Sequence, residues 1–396
     1  MDEALKFAIE NGMIDLSYIQ DTYEMNKRKE LLSKHKWAIS QGKDGYWRTY
    51  LPDKGKGRRM IKRKTRKSVE DEVINYLKEE IENPTIGEVY DEWIIQKLRR
   101  EEISIATKNR YDRQFLECLS ELREKKIKEV DEFEIEEFIL DTIHEKQLTR
   151  KSYSNMRTLI YGIFKYAKRR KLVEFSISEV VSNMEISKKL FRKDVKCDSD
   201  LVFSSEECEK IMQFASENID IRNLGILLLF KAGMRPGELA ALKNVDVHEN
   251  VIHVNRTEIY YKNDDGKAVY EVRDFPKTEA GIRDVIIPQS ALWIIRKCRA
   301  LNPFGEYMFE ENGKRLKTYY FSKRLNYICK QLGIKTKSPN KIRKTYGTIL
   351  IDANVSESVI ISQMGHTDIK TTKKHYHKDR NSIAEKTSII NSVSGL

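Results

Sequence analysis

The chain has 396 residues, with 73 Lys and Arg against 61 Asp and Glu, so its formal net charge is +12 and its pI is about 9.2. With 34% charged and 40% apolar residues, it is typical of a soluble, folded chain of two or three domains. The longest apolar run, residues 226–230, is too short to cross a bilayer, and the N-terminus is acidic where a secretion signal is basic. We expect a cytoplasmic protein whose partner is polyanionic, nucleic acid before an anionic membrane surface.

The cysteines and histidines do not predict a disulfide, a metal site or a cofactor. The cysteines are odd in number and scattered, without a C-x-x-C pair, at Cys118, Cys197, Cys208, Cys298 and Cys329. Free thiols in a reducing compartment are the plain interpretation. The late histidines His366, His375 and His377 have no acidic or thiol ligand beside them at metal spacing.

The first 83 residues predict a helical leader, 1–35, followed by a compact basic unit, 36–83. Residues 46–51 suit a strand, residues 52–55 a turn, and Met60 and Ile61 a second strand. Ser68 is predicted to cap the next helix, with Asp71 completing a capping-box-like pair. We therefore expect a small sheet with one packed helix.

Basic residues are concentrated at positions 54–67, where no acid occurs, and aromatic residues precede them. A solvated charge run or a localisation signal would also explain these charges. Because a charged strand pair can enter a major groove, we favour DNA binding with steep salt dependence. The candidate DNA-binding residues here are Tyr46, Trp47, Arg48, Lys54, Arg58, Arg59, Lys62, Arg63, Lys64 and Arg66.

Residues 84–185 predict a helical domain, and residues 186–200 predict a basic linker without apolar periodicity. Apolar stripes at helical spacing predict its core, at Tyr111, Phe115, Leu119, Met156, Ile160, Ile163, Phe164 and Ala167. The basic face opposite the second stripe makes Arg157 and Arg169 candidates for DNA binding. Lys188 and Lys189 of the linker are further candidates.

Residues 201–380 predict a mixed α/β domain, and residues 381–396 a short helical tail that is too apolar for a free end. Helices are expected near 205–217 and 221–233, and strands near 251–255, 258–262, 269–274 and 284–287. Further helices are expected after these strands.

Two basic residues of this domain lie at predicted breaks. Arg235 follows Gly233 and precedes Pro236, so it emerges at a helix junction, although a structural pair with Glu238 would explain it as well. Lys277 lies in a segment that predicts a β-hairpin with a glycine turn. It is either a surface charge or a proton donor for a leaving 5′ oxygen.

The last three candidates lie within 34 residues of one another. Arg343 lies about one turn into a predicted helix, residues 341–354, and His366 follows a glycine at a turn, where it binds a phosphate oxygen or simply closes the turn. Tyr376 has Lys and His neighbours instead of an apolar stripe, which favours phenolate and attracts phosphate. Two guanidinium groups can neutralise the charge that grows on a phosphate under attack.

In order and spacing, Arg235, Lys277, Arg343, His366 and Tyr376 resemble the tyrosine recombinases, the integrases of phages and conjugative transposons. The similarity is detailed over residues 202–378 and looser before them. It implies an α+β, mainly helical fold with an arm-site DNA-binding domain at 36–83, a core-binding domain at 84–185 and a catalytic domain at 201–380. Two positions depart from the family: Asn340 replaces a histidine, and His366 to Tyr376 is one residue longer than usual.

The resemblance implies that Tyr376 attacks the scissile phosphate and forms a 3′-phosphotyrosyl bond without metal or ATP. Arg235 and Arg343 would bind the non-bridging oxygens, His366 and Asn340 would support them, and Lys277 would protonate the leaving group. The implied partners are double-stranded DNA at core and arm attachment sites, three further copies of the chain in a tetramer, and accessory directionality or DNA-bending proteins. Two alternatives stay open: a type IB topoisomerase-like enzyme, and an inactive DNA-binding regulator of recombinase descent.

Overall fold

The computed structural model describes residues 11, 16–53, 55–194, 197–274, 281–365, 378–380 and 383–392. The chain divides into two compact units, Met1–Lys193 and Asp194–Leu396. The fold is α+β and mainly helical, which confirms the predicted fold class. Within the described ranges, no helix is long and apolar enough to cross a membrane.

The N-terminal unit begins with a helix and a three-stranded antiparallel sheet. Its first elements are α1 (Leu16–Ser33), β1 (Ser40–Gln41), β2 (Trp47–Asp53), β3 (Gly57–Arg63) and α2 (Arg66–Glu82). Leu51 and Ile61 of the sheet pack on Val69 and Val73 of α2. Helix α1 is part of this fold because Arg28 bonds to Asp71 and, at 3.1 Å, to Glu70 of α2.

Helix α2 begins earlier than the sequence predicts. Thr65 has an extended backbone, with φ −120° and ψ 152°, and its hydroxyl accepts a hydrogen bond from the Ser68 amide at 3.2 Å. The prediction that Ser68 caps the helix is therefore wrong. Threonine and serine can both cap, but only Thr65 lies outside the helix, which places Ser68 in the first turn.

The rest of the N-terminal unit is helical and has its own core. Its helices are α3 (Ile86–Arg99), α4 (Ile105–Cys118), α5 (Glu132–Glu145), α6 (Arg150–Arg169) and α7 (Ile177–Asn183). The apolar stripe predicted on α6 is buried. At Gly162 an added Cβ would lie 2.1 Å from Trp93 Cζ2, so the missing side chain lets the indole lie against α6.

The predicted linker is partly absorbed into this helical core. Ile186, Leu190 and Phe191 pack against it, and the amide of Arg192 donates to the carbonyl of Leu148 at 3.0 Å. Apolar side chains without a helical period can still pack, which is why periodicity alone did not reveal these contacts. The stretch between the units is thus shorter than residues 186–200.

The C-terminal unit packs helices around one buried helix and carries small antiparallel sheets. Its elements are α8 (Ser205–Glu217), α9 (Ile221–Ala232), α10 (Pro236–Ala240), β4 (Val247–His248), β5 (Val251–Val254), β6 (Thr257–Lys262), β7 (Ala268–Arg273), β8 (Arg283–Ile286), α11 (Leu292–Leu301), β9 (Glu310–Glu311), β10 (Lys314–Arg315), α12 (Thr318–Gln331), α13 (Pro339–Asp352), α14 (Glu357–Met364) and α15 (Ile383–Asn391). Helix α9 is apolar on nearly all sides because it is buried on nearly all sides. The predicted helices and the four predicted strands are confirmed to within about two residues.

The strands on either side of residues 275–280 belong to different sheets. β7 pairs with β6, with Tyr260 opposite Tyr270, whereas β8 pairs with β5, with Ile252 opposite Val285. The described hairpin is therefore β6–β7, which turns at Gly266 with φ 74°. Of the hairpin predicted around Lys277, residues 275–280 lie outside the described residues, and the described strand that follows them, β8, pairs with β5.

Candidate active site

Arg235 stands where two helices meet, as its glycine and proline neighbours predict. Helix α9 ends at Ala232, Gly233 is left-handed with φ 62°, and Pro236 opens α10. A Cβ on Gly233 would lie 2.1 Å from Cδ1 of Tyr346 on α13. Glycine is therefore required here by the backbone and by close packing together.

Glu238 is a buried carboxylate that binds two arginines. Its Oε1 accepts from Arg235 Nη1 at 2.7 Å and from Arg283 Nη1 at 3.0 Å, and its Oε2 accepts from Arg283 Nη2 at 2.8 Å. Burial alone would raise the pKa of Glu238, but the hydrogen bonds and charge of Arg283, with the charges of Arg343 and Arg235, lower it to about 2. The carboxylate is therefore charged at neutral pH and fixes the side chain of Arg235.

Arg343 reaches the same place from α13. It is only 3% exposed, and its Nη1 donates to the carbonyl of Gly233 at 2.8 Å, while its Nη2 donates to the carbonyl of Met364. Arg235 Nη2 donates to the next carbonyl, that of Gly365, at 3.4 Å. The two guanidinium groups thus meet at the C-terminal end of α14, directly before His366.

Arg283 and Gln363 fasten α14 to the sheet. Arg283 Nε donates to the carbonyl of Gln363 at 3.0 Å. The Gln363 amide donates to the carbonyl of Ile286 at 2.9 Å and accepts from its N–H at 3.1 Å. Arg283 is not among the residues that the sequence predicts for the site, and the signal that could have found it is its place six residues after Lys277.

Of the other predicted catalytic residues, the structure describes Asn340 alone. Asn340 is exposed on α13, one turn before Arg343. Lys277, His366 and Tyr376 lie outside the described residues. Among the residues that are described, no group of three or more His, Cys, Asp and Glu side chains could hold a metal ion.

The predicted DNA-binding residues of the N-terminal sheet divide between its two faces. Register places Arg48 opposite Lys62, Tyr50 opposite Met60 and Pro52 opposite Arg58 on the solvent-exposed face. The Arg58 guanidinium lies 4.3 Å from the Tyr50 ring centroid, and Lys62 Nζ lies 4.4 Å from that of Tyr46. This face therefore combines cations with aromatic rings, and we call it the open sheet face.

The remaining candidates of this unit lie elsewhere. Trp47 packs against the core beneath the sheet, and Arg63 bonds to Glu72 of α2 at 2.6 Å. Arg59 lies opposite the buried Leu51 in the strand register, on the same face of the sheet as Arg63. Arg66 pairs with Glu70 at 2.8 Å, Lys64 is exposed, and Lys54 lies outside the described residues.

A groove of about 710 Å³ lies beside the predicted basic face of α6. Its lining includes Trp93, Lys97, Tyr111, Tyr161, Lys165 and Arg169. Trp93 and Tyr111 stack with ring centroids 5.9 Å apart, and Lys165 Nζ lies 5.0 Å from the Tyr161 ring centroid. Arg157 lies over the same ring, 5.7 Å from its centroid. Lys188 and Lys189 lie in a single 3₁₀ turn, Lys188–Leu190.

Comparison with known proteins finds a matching family for most of the C-terminal unit. Residues 202–382 match the family model for the phage integrase family. The ICEBs1 integrase of Bacillus subtilis (strain 168) is 22% identical over 241 residues, which cover 58% of this chain and 61% of that protein. A tyrosine recombinase XerC of Leptospira interrogans is 22% identical over 270 residues, or 65% of this chain and 77% of that protein. Residues 202–382 are thus similar to the phage integrase family, and a protein named as a tyrosine recombinase matches 65% of the chain.

Solved structures share the fold. The Tn1549 transposon integrase in complex with transposon right end DNA has a TM-score of 0.59 at 19% identity, over 78% of this chain and 98% of that chain. A lambda integrase dimer bound to a COC′ core site has a TM-score of 0.55 at 16% identity, over 87% and 95% of the two chains. The alignment with the ICEBs1 integrase spans about three-fifths of that protein's length.

Replacing the buried carboxylate should destabilise the C-terminal unit. In Glu238→Gln, Arg283 loses its charged partner while its side chain stays only 4% exposed. We expect the free energy of unfolding to fall by about 3–5 kcal/mol, measured by urea unfolding at pH 7. The matched control is Glu306→Gln, because Glu306 pairs with Lys243 at the surface and should contribute less than about 1 kcal/mol. Equal effects of the two variants would contradict the role given to Glu238.

Proposed function

We propose that this protein is a site-specific recombinase that cuts and rejoins double-stranded DNA through a covalent bond to Tyr376. The observation that carries the proposal is the meeting of Arg235 and Arg343 at the carbonyls of Gly365 and Met364. His366, the next residue in the sequence after these two carbonyls, is the next candidate for the same site. Residues 108 positions apart in the chain, from 235 to 343, thus share one cationic site.

In the proposed reaction, the phenol oxygen of Tyr376 attacks the phosphorus and the bond to the 5′ oxygen breaks. Arg235 and Arg343 bind the non-bridging oxygens, and His366 and Asn340 add hydrogen bonds. His366 takes the phenol proton, and Lys277 gives a proton to the leaving 5′ oxygen. A 5′ hydroxyl of another strand then attacks the 3′-phosphotyrosyl bond and releases the tyrosine. One phosphodiester replaces another, so the reaction needs no ATP.

The relatives favour a role in moving a mobile element. One relative is the integrase of ICEBs1, another is the integrase of Staphylococcus phage L54a at 28% identity, and a structural neighbour is a transposon integrase. We propose that this chain integrates or excises an element of the same general kind, a phage or a conjugative transposon.

The two candidate DNA surfaces of the N-terminal unit suit two kinds of site. The aromatic and basic groove beside α6 would hold the core site, next to the bond that is cut. The open sheet face would hold separate arm sites, because cations on a strand pair can follow a major groove. The described cations there already stand beside aromatic rings that can contact sugars and bases.

Recombination pairs two DNA sites, so we propose a tetramer on DNA. One structural neighbour is a lambda integrase tetramer bound to a Holliday junction. In this chain the tail helix α15 exposes Ile390, at 56%, which suits docking on a neighbouring copy. Accessory directionality or DNA-bending proteins would act on this assembly, at the nucleoid in the cytoplasm.

Removing the phenol oxygen should separate cutting from binding. In Tyr376→Phe, covalent trapping on nicked suicide DNA should be lost, while the Kd for DNA should change by no more than about twofold. The matched control Tyr23→Phe, at a tyrosine 60% exposed on α1, should trap like the wild type. Trapping by Tyr376→Phe would contradict the assignment of the nucleophile.

The same assay separates the alternatives. An inactive regulator would show no trapping with the wild-type chain. A type IB topoisomerase-like enzyme would trap and relax supercoiled DNA without ever pairing two sites. Trapping together with strand exchange between two sites is the outcome that the proposal requires.

Charge removal from the open sheet face should weaken arm-site binding. In the triple variant Arg48→Ala, Arg58→Ala and Lys62→Ala, the slope of log K against log salt should fall by about 2 to 3, because each lost phosphate contact removes about 0.9. Affinity for arm DNA should fall about tenfold or more, with cutting of core DNA unchanged.

The control removes the same charge from the other side of the unit. Lys27, Lys29 and Lys36 are exposed outside the open sheet face, and their combined change to alanine should leave the arm-site slope nearly unchanged. Equal loss in the two triple variants would indicate a general charge effect instead of a binding face.

A charge on the tail helix should block assembly. Ile390→Asp should reduce the fraction of paired DNA complexes by about tenfold, because a charge would be buried against the neighbouring copy. Single-site binding should be unchanged, since Ile390 is already 56% exposed in the single chain. Ser388→Asp, about 200° around the same helix, is the matched control and should assemble normally. Normal pairing by Ile390→Asp would contradict the docking proposal.

A further inference from the structure

The start of the C-terminal unit contacts two segments that border the candidate site. A 3₁₀ turn, Asp198–Asp200, precedes Phe203 and the cap of α8. We call residues 198–207 the brace. It touches the segment that leads into the Arg343 helix and the segment that follows Tyr376.

On the arginine side, the brace fixes the beginning of α13. Lys335 Nζ lies 2.5 Å from Asp200 Oδ1, and Lys337 Nζ lies 2.8 and 2.6 Å from the two carboxylate oxygens of Glu207. The Phe203 amide donates to Thr345 Oγ1 at 2.8 Å. The side chain of Lys337 is 3% exposed, so this attachment is well shielded from water.

On the tyrosine side, the brace holds the first described residues after Tyr376, which are Lys378 to Arg380. The Asp379 amide donates to Asp198 Oδ2 at 3.0 Å, and Lys378 Nζ lies 3.4 Å from Asp198 Oδ1. Arg380 Nη2 donates to Ser205 Oγ at 2.9 Å. Asp198 thus uses both carboxylate oxygens on one short segment.

This attachment is close to Tyr376 in sequence, because Tyr376 is two residues before Lys378. Before the tyrosine, Arg343 and Arg235 bind the carbonyls of Met364 and Gly365. The described residues on both sides of Tyr376 in the sequence therefore bind groups of the C-terminal unit.

We propose that Asp198 is a positioning residue that sets the location of Tyr376 relative to Arg343, with the brace as the common anchor. The inference rests on the proposed function of Tyr376 as the nucleophile. In-line attack needs the phenol oxygen within a fraction of an ångström of its place, and a 1 Å error can cost about a hundredfold in rate. Asp198 itself touches no DNA in this proposal, so its loss should slow the chemical step and leave DNA binding intact.

The experiment measures single-turnover trapping on nicked suicide DNA at saturating enzyme, together with the Kd for the same DNA. Asp198→Ala should trap about tenfold more slowly or worse, with Kd within about twofold of the wild type and the same Tm. The trapping rate of Asp198→Asn should lie between those of Asp198→Ala and the wild type. Its amide oxygen still accepts from the Asp379 N–H, but the side chain lacks the charge that attracts Lys378. Glu209→Ala removes a carboxylate from an exposed position of α8 and should trap normally.

A trapping rate for Asp198→Ala equal to that of the wild type would overturn the inference. So would a loss of DNA binding or a fall in Tm that matches the loss of trapping, since either would indicate a general structural role. If the wild-type chain itself failed to trap DNA, the proposed function would fail first. Trapping of DNA by the wild-type chain therefore distinguishes a failure of this inference from a failure of the proposed function.

Discussion

The C-terminal unit depends on the charge of Glu238, which is buried at 2% exposure between Arg235 and Arg283. A carboxylate without partners at that depth would be protonated or would unfold the site. Here the bonds from Arg283 keep it ionised, and the ionised form in turn holds Arg235 by its side chain and its backbone N–H, at 2.7 and 2.8 Å. The arginine is thus preorganised, and it needs little rearrangement when a phosphate arrives.

The arginines around Glu238 also bind the C-terminal end of α14. Arg283 binds the carbonyl of Gln363, and the two candidate phosphate ligands bind the carbonyls of Met364 and Gly365. Three guanidinium groups therefore satisfy three consecutive carbonyls at a helix end, where such groups lack partners within the helix. The left-handed Gly365, with φ 57°, turns the chain there. The bonds that satisfy this helix end are thus made by the same arginines that the proposed site uses.

The sequence predicted the elements whose positions depend on local patterns of residues. The helices of residues 205–217 and 221–233, the strand near residues 251–255 and the breaks at Gly233 and Gly365 follow from periodicity, capping and turn chemistry. The choice between Thr65 and Ser68 as a cap was not accessible, because both residues can cap and the decision lies in tertiary packing of α2. The burial of Trp47 and the role of Arg283 also depend on partners distant in sequence. For Arg235 the sequence left a choice between a structural pair and a catalytic group. The contact with Glu238 confirms the structural pair, and the catalytic role stays a proposal.

The cations of the two units are held in different ways. On the open sheet face, Lys62 and Arg48 pair with the exposed carboxylate of Asp44. The hydrogen bond from Lys62 first, with those from the Tyr46 amide and Arg48, lowers the pKa of Asp44 to about 2. Exposed pairs of this kind contribute little to stability, so a DNA phosphate can replace the carboxylate at low cost. Arg235 and Arg343 instead have fixed partners, because Arg235 binds the buried carboxylate of Glu238 and Arg343 binds the carbonyls of Gly233 and Met364. An exchangeable pair would suit a surface that binds and releases DNA, as proposed for the open sheet face. A fixed arginine would suit the proposed catalytic site, because a small displacement there would slow the reaction.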